Sequence, residues 1–149
     1  RSNYWKIMIK YYYTDTEKSY YKIFNDINLS KSNNHIFFLN GDIGSGKTSI
    51  VRTFIKARKI DKVITSPTFT LINEYELDNL KVFHYDLYKL KDSQELLDIG
   101  INDYLNQNAI HFFEWPCKYE SILPKPNIII DLISLDIGRL IKVTDKYNG

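Results

Sequence analysis

The sequence predicts an α/β fold, a mixed central β-sheet flanked by helices, and three observations carry that reading. The short, mostly apolar run His35-Ile36-Phe37-Phe38-Leu39 has the length and composition of a buried strand. It runs directly into a glycine-rich loop at Gly41, and the residues from 47 to about 59 then carry Ile50, Val51, Phe54 and Ile55 at helical spacing. A second buried run, residues 109–113, ends on a carboxylate, Glu114. Strand, glycine loop, helix and a further buried strand are the pieces of a layered α/β domain.

The remaining elements follow in chain order. Trp5, Ile7, Ile9, Tyr11 and Tyr13 alternate with Lys6, Met8 and Lys10, the period of a half-buried strand whose aromatics belong to the core or to the sheet surface. Thr14-Asp15-Thr16-Glu17 has the spacing of a capping box, and Tyr20, Phe24 and Ile27 continue it as a helix to about residue 28. After the glycine loop and its helix come strand-like runs at 63–64, 70–77 and 81–90, with Asp78-Asn79 as a hairpin turn. These read as a β-rich insertion. Asp92-Ser93-Gln94-Glu95 caps a helix carrying Leu96, Leu97 and Ile101, interrupted at Gly100. Residues 127–135 and 140–143 flank Asp136-Ile137-Gly138-Arg139 and predict a C-terminal hairpin.

Composition bounds what such a fold does. The chain has 149 residues, which is the length of one domain, so residues 1–149 are expected to close a single core. Hydrophobic residues make up 44% and charged residues 26%, ordinary globular proportions that argue against disorder. The net charge of +2 is too small for an autonomous nucleic-acid binder, so any role on RNA needs a partner. The apolar runs fall far short of the ~20 residues a membrane helix needs. One cysteine, Cys117, makes no intrachain disulfide and reads as a packing residue in a reducing compartment. The expected location is cytoplasmic, or organellar if a targeting segment has been removed.

The chemistry concentrates in Gly41-Asp42-Ile43-Gly44-Ser45-Gly46-Lys47-Thr48, which fits GxxxxGK[ST] between a buried strand and a helix. That context makes it a P-loop, and the fold P-loop NTPase-like. Backbone N–H groups of Asp42, Ile43, Gly44, Ser45, Gly46, Lys47, Thr48 and Ser49, at a glycine turn and a helix start, form a concavity for phosphate oxygens. Lys47, at an exposed helix start, reaches the terminal phosphates, and the Thr48 hydroxyl ligates Mg²⁺. A P-loop also needs an acid from another strand, and Glu114 stands where open α/β sheets place their ligands. Asp86, in His84-Tyr85-Asp86-Leu87-Tyr88, is a second acid, costly to bury in an aromatic run unless paired or hydrated. Thr68, in Ser66-Pro67-Thr68-Phe69-Thr70, lies in a hydroxyl-rich turn that reads equally as a phosphate-sensing loop and as a plain turn. His84 and His111 read as core or hydrogen-bonded histidines.

Taken in order, the glycine loop, Ser66-Pro67-Thr68-Phe69-Thr70, His84-Tyr85-Asp86-Leu87-Tyr88 and Glu114-Trp115-Pro116 closely resemble the TsaE (YjeE) family. The resemblance covers residues from about 34 to 123 and extends to Glu95-Leu96-Leu97-Asp98-Ile99-Gly100. It implies an ATPase of tRNA threonylcarbamoyladenosine biosynthesis that supports the transferase TsaD and its paralogue TsaB, meeting tRNA through that complex. It further implies that ATP and Mg²⁺ are the cofactors. Lys47 matches the phosphate-binding lysine, Thr48 and Glu114 the metal-binding pair, Asp86 the acid needed for hydrolysis, and Trp115 the tryptophan after the acid; Thr68 falls in the switch-like loop. Ile43 and Ser45 replace the family's more usual Leu and Ala without altering the loop's chemistry.

Two other classes use the same loop. A GTPase is disfavoured, since no Asn is followed by Lys and no DxxG is present. A small P-loop kinase would enlist arginines, and Arg52, Arg58 and Arg139 are not well placed by sequence. A nucleotide-binding regulatory subunit with little hydrolysis is the third reading.

Overall fold

The computed structural model describes residues 5–16, 19–27, 35–42, 44–58, 62–63, 71–77 and 80–148. Their strands form one eight-stranded mixed sheet. In chain order the elements are β1 (Trp5–Thr14), α1 (Tyr20–Asp26), β2 (His35–Asn40), α2 (Lys47–Ala57), β3 (Lys62–Val63), β4 (Ile72–Leu77) and β5 (Leu80–Asp86). A 3-10 turn (Leu87–Lys89), α3 (Ser93–Asp98), α4 (Ile101–Leu105), β6 (Ile110–Glu114), a second 3-10 turn (Pro116–Tyr119), β7 (Ile128–Ser134) and β8 (Arg139–Asn148) follow.

The sheet order is β1-β8-β7-β2-β6-β5-β4-β3. Its centre is parallel, β2 lying between β6 and β7 and β6 pairing with β5, while antiparallel ribbons flank it on both sides. Parallel strands are buried on both faces, which is why β2 and β6 read as apolar runs rather than alternating ones. On one face Phe37, Leu39, Phe112 and Ile130 pack beneath α1 and α2, through Tyr20, Phe24, Ile50 and Phe54. On the other, Phe38, Phe83, Tyr85 and Phe113 pack with Leu96 and Ile101 of α3 and α4. Both clusters are aromatic; Phe24, Phe54 and Phe112 meet edge-on, and Tyr85 stacks on Phe113 at 4.1 Å.

Four expectations are corrected. β1 keeps its predicted strand, but Ile7 and Tyr11 are 61% and 62% exposed, because β1 is the sheet's terminal strand and only Tyr12 and Thr14 turn toward the body. Thr14 does not cap a helix, since it is still paired in β1 with Arg139 and its hydroxyl accepts from the Thr16 N–H at 3.2 Å. Helix α1 therefore starts later, after Ser19, which makes no side-chain cap. The run at 81–90 leaves strand geometry after Asp86, and β3, β4 and β5 continue the central sheet instead of standing apart as an insertion. Cys117 is exposed rather than packed. The β7–β8 hairpin and the interruption at Gly100, between α3 and α4, stand as read. The Asp78-Asn79 turn lies outside the described residues.

Candidate functional site

Chain direction decides where the site forms. Strands β2, β5 and β6 run parallel, so their C-terminal ends open together at one edge of the sheet, and the loop leaving β2 feeds the N-terminus of α2 there. A cavity of about 340 Å³ occupies that edge, lined by Gly44, Gly46, Lys47, Thr48, Ser49, Asp86, Tyr88, Glu114, Trp115 and Arg139.

Gly46 is the residue before α2 and has a φ of +109°. A Cβ there would sit 2.7 Å from the Tyr20 hydroxyl, so both conformation and space require glycine. Lys47 follows as the first helical residue. Expected at an exposed helix start, it is instead 5% exposed, its Nζ donating to the carbonyls of Gly41 (2.5 Å) and Asp42 (2.8 Å) and lying 4.2 Å from the Trp115 ring centre. Burial pulls its pKa below the usual lysine value, and the carboxylates of Glu114, Asp42 and Asp86 oppose that pull. Ser45 is buried and Asp42 faces outward; both shape the loop through the Ser45 N–H, which donates to the Asp42 carbonyl at 3.0 Å. Neither lines the cavity. Ile43 and Thr68 lie outside the described residues.

Glu114 ends β6 and is 5% exposed. The Thr48 hydroxyl donates to its two oxygens at 3.2 and 3.3 Å, and His84 Nε2 donates to Oε2 from β5. A buried carboxylate requires such partners. Asp86 is the cross-strand neighbour of Glu114 and opens toward solvent. Its Oδ1 accepts from the Tyr88 N–H at 3.3 Å, capping the 3-10 turn, and Oδ2 lies 3.8 Å from Lys89 Nζ, an exposed pair of small energetic weight. The aromatic run thus never buries Asp86: the strand ends at that residue.

Trp115 alone among the described non-glycine residues has a positive φ, 60°. Its strained backbone turns the indole onto Lys47 and against Tyr88, ring centres 5.1 Å apart. Three lining or supporting residues were not assigned from sequence. His84 is buried and hydrogen-bonded as read, but its partner is the site's acid; its position two residues before Asp86, on the same strand face, is the signal that finds it. Tyr88 is visible only once the 3-10 turn is known. Arg139 reaches the cavity through long-range packing of β8, which no local pattern encodes.

The chain is therefore a mixed α/β protein built around a Walker-A glycine loop with two strand-end carboxylates. The profile of the family described as "Threonylcarbamoyl adenosine biosynthesis protein TsaE" matches residues 14–141, and the chain belongs to that family. It is 37% identical to the tRNA threonylcarbamoyladenosine biosynthesis protein TsaE of Haemophilus influenzae over 111 residues, 74% of this chain and 70% of that protein. The Rickettsia conorii protein of the same name is 40% identical over 104 residues, 69% of this chain and 59% of its own length. The crystal structure of Bacillus subtilis YdiB shares the fold, with a TM-score of 0.70 over 94% of this chain and 87% of that one at 23% identity. Among the described residues, no helix is long and apolar enough to cross a membrane.

Proposed function

We propose that this chain is a single-domain P-loop ATPase that binds ATP with Mg²⁺ and hydrolyses it in support of a TsaB–TsaD threonylcarbamoyl transferase, meeting tRNA through that complex in the cytoplasm. The observation that supports it best is the convergence of Lys47, Thr48, Glu114 and Asp86 on one cavity at the strand ends. Phosphate oxygens would take over the Lys47 donors now given to the Gly41 and Asp42 carbonyls. The glycine loop and the α2 N-terminus add backbone donors and positive potential.

The donor set fits Mg²⁺. Thr48 and Glu114 offer hard oxygens side by side, and among the described residues no cluster of three His, Cys, Asp or Glu forms a cage of its own. Mg²⁺ is usually held by one or two protein oxygens with phosphates and waters completing the shell. When bound, it neutralises charge on the phosphates. His84 keeps the Glu114 carboxylate oriented, Asp86 holds and orients the attacking water, and the Trp115 and Tyr88 rings wall the site.

Phosphate release from ATP, measured alone and with a matching TsaB–TsaD pair, tests the reading. Slow turnover that rises with the pair is the expected result. Binding without hydrolysis under both conditions would make the chain a regulatory subunit, and phosphoryl transfer to a small acceptor would make it a kinase.

A further inference from the structure

The two edges of the sheet are finished differently. At one end β3 is two residues long, too short to template another strand. At the other, β1 runs for ten residues in unbroken register with β8 and contains no proline. It is held from behind, Thr14 being buried and the Tyr12 hydroxyl donating to Asp26 of α1 at 2.8 Å. Among the described residues no strand pairs with its outer side.

The register shows what that outer side offers. The Lys146 N–H donates to the Asn127 carbonyl at 2.8 Å, on the β7 side of β8. Consecutive residues of an antiparallel strand bond to alternate neighbours, so Asp145, Val143 and Ile141 bond toward β1. Their partners there, Met8, Lys10 and Tyr12, bond inward, which leaves the N–H and C=O groups of Ile7, Ile9 and Tyr11 aimed at the open edge. The side chains of Ile7, Ile9, Tyr11 and Tyr13 form an apolar row on one face, and the least exposed of them, Ile9, is still 49% exposed. On the other face Lys6 and Lys10 flank Met8, both exposed, and no ion pair within the described residues includes either. Across β1 and β8, Lys6, Lys10, Arg139, Lys142 and Lys146 stand against Asp145 alone. The ribbon thus carries +4 in a chain of net +2, and the remaining residues together carry −2.

We infer that β1 is a docking edge for another protein, which adds an extended segment of alternating apolar and acidic residues as a ninth strand of the sheet. Strand addition supplies main-chain hydrogen bonds, and alternate side chains supply the specificity. Here the apolar side chains of the segment cover Ile7, Ile9 and Tyr11, and its carboxylates face Lys6 and Lys10, the opposite-charge arrangement that stabilises cross-strand neighbours. A second copy of this chain fits less well, since it would set one positive ribbon against another. The inference stands apart from the nucleotide reading, because no residue of β1 lines the cavity.

Binding of labelled synthetic peptides to the full chain, followed by fluorescence anisotropy, tests it. One peptide of about nine residues, long enough to span β1, alternates glutamate and valine. A second carries lysine for glutamate, a third has the first one's composition in separate blocks, and a single-stranded RNA of equal charge is the fourth probe. The alternating acidic peptide is expected to bind at least about tenfold tighter than the other three, and less tightly as salt rises. Ile9→Pro removes an outward N–H and no bond to β8, and proline is tolerated at such edge positions. It should weaken the acidic peptide about tenfold, with melting temperature near that of the wild type. Lys6→Glu combined with Lys10→Glu should reverse the preference toward the lysine peptide. Amide exchange at Ile7, Ile9 and Tyr11 should slow when the acidic peptide binds. No binding at ~1 mM peptide, or equal binding of the block peptide, would overturn the inference. Tighter RNA binding that survives Ile9→Pro would make the ribbon a nucleic-acid face, and a concentration-dependent dimer lost in Ile9→Pro would make a second copy the occupant; either overturns it too. Should Ile9→Pro fail to fold, the double lysine variant and the amide exchange decide.

Discussion

Asp86 and Glu114 occupy the same register position on adjacent parallel strands, one acid at the end of β5 and one at the end of β6. Their surroundings divide them. Glu114 is buried and accepts from Thr48 and His84, whereas Asp86 faces the open side of the cavity and uses one oxygen to cap a turn. The enclosed acid suits a fixed ligand and the open one a group that handles water.

From that division, Asp86→Ala is expected to lower hydrolysis by at least one power of ten, ~1.4 kcal/mol, while ATP affinity changes little. Asp86→Asn keeps the acceptor for the Tyr88 N–H and separates lost chemistry from a lost cap. Partner-stimulated turnover and ATP affinity of both variants check this. Equal turnover would leave Asp86 a capping residue only, and a large loss of affinity would make it a metal or nucleotide ligand.

Thr48 and Glu114 touch, so their contributions to metal binding should not add. In the wild type, Mg²⁺ should tighten ATP binding relative to chelator. Thr48→Val and Glu114→Gln are each expected to abolish most of that difference, and the double variant to lose little more than either single one. Calorimetry of ATP with Mg²⁺ and with EDTA measures it. Additive losses, or full Mg²⁺ dependence in both variants, would assign the metal elsewhere.

Lys47 is buried against the carbonyls of its own loop, so its removal takes a desolvated cation out of the free protein as well as a phosphate contact out of the complex. Lys47→Ala is therefore expected to weaken ATP binding more than tenfold, given ~1.5–3 kcal/mol for a hydrogen bond involving a charged group. Its circular dichroism should match that of the wild type. Unchanged affinity would refute the P-loop assignment.

How much of this was legible follows from the range of each interaction. The glycine loop, Lys47 and Thr48 lie within eight consecutive residues, so local spacing was enough. Glu114 was readable because an apolar strand ending in a carboxylate is a local pattern whose placement the parallel sheet then fixes. The burial of Lys47 was not, since it depends on Trp115 folding over from β6 through a left-handed backbone. Arg139 was passed over because its place depends on contacts with residues 119 and 95 positions away, Tyr20 and Gly44. For β1, alternation gave the strand but not its burial; period two reports a pleat, and only the sheet order says that this strand lies at the edge.

His111 makes an acid-stability prediction away from the site. It is fully buried on the α3–α4 face, stacked on Phe83 at 5.4 Å, with Nδ1 accepting from the Tyr85 hydroxyl at 2.7 Å. Its Nε2 therefore carries the proton and points to the Gln107 carbonyl at 3.4 Å. Burial pulls its pKa down from 6.5 to about 4, with the Gln107 carbonyl opposing. The unfolded chain thus takes up this proton near pH 6.5 and the folded chain only near pH 4, so between those values the unfolded state binds more protons. Stability is expected to fall as pH drops through that window, by at most ~3 kcal/mol from this residue, and to be free of its influence above pH 6.5. His111→Gln has no titrating proton and offers an acceptor to Tyr85. Chemical denaturation of both proteins at pH 7 and at pH 4 should show the wild type losing ~2–3 kcal/mol more than the variant over that interval. Equal losses would mean that His111 takes up its proton in the folded state without cost, through an opening of the Phe83, Tyr85 and His111 stack.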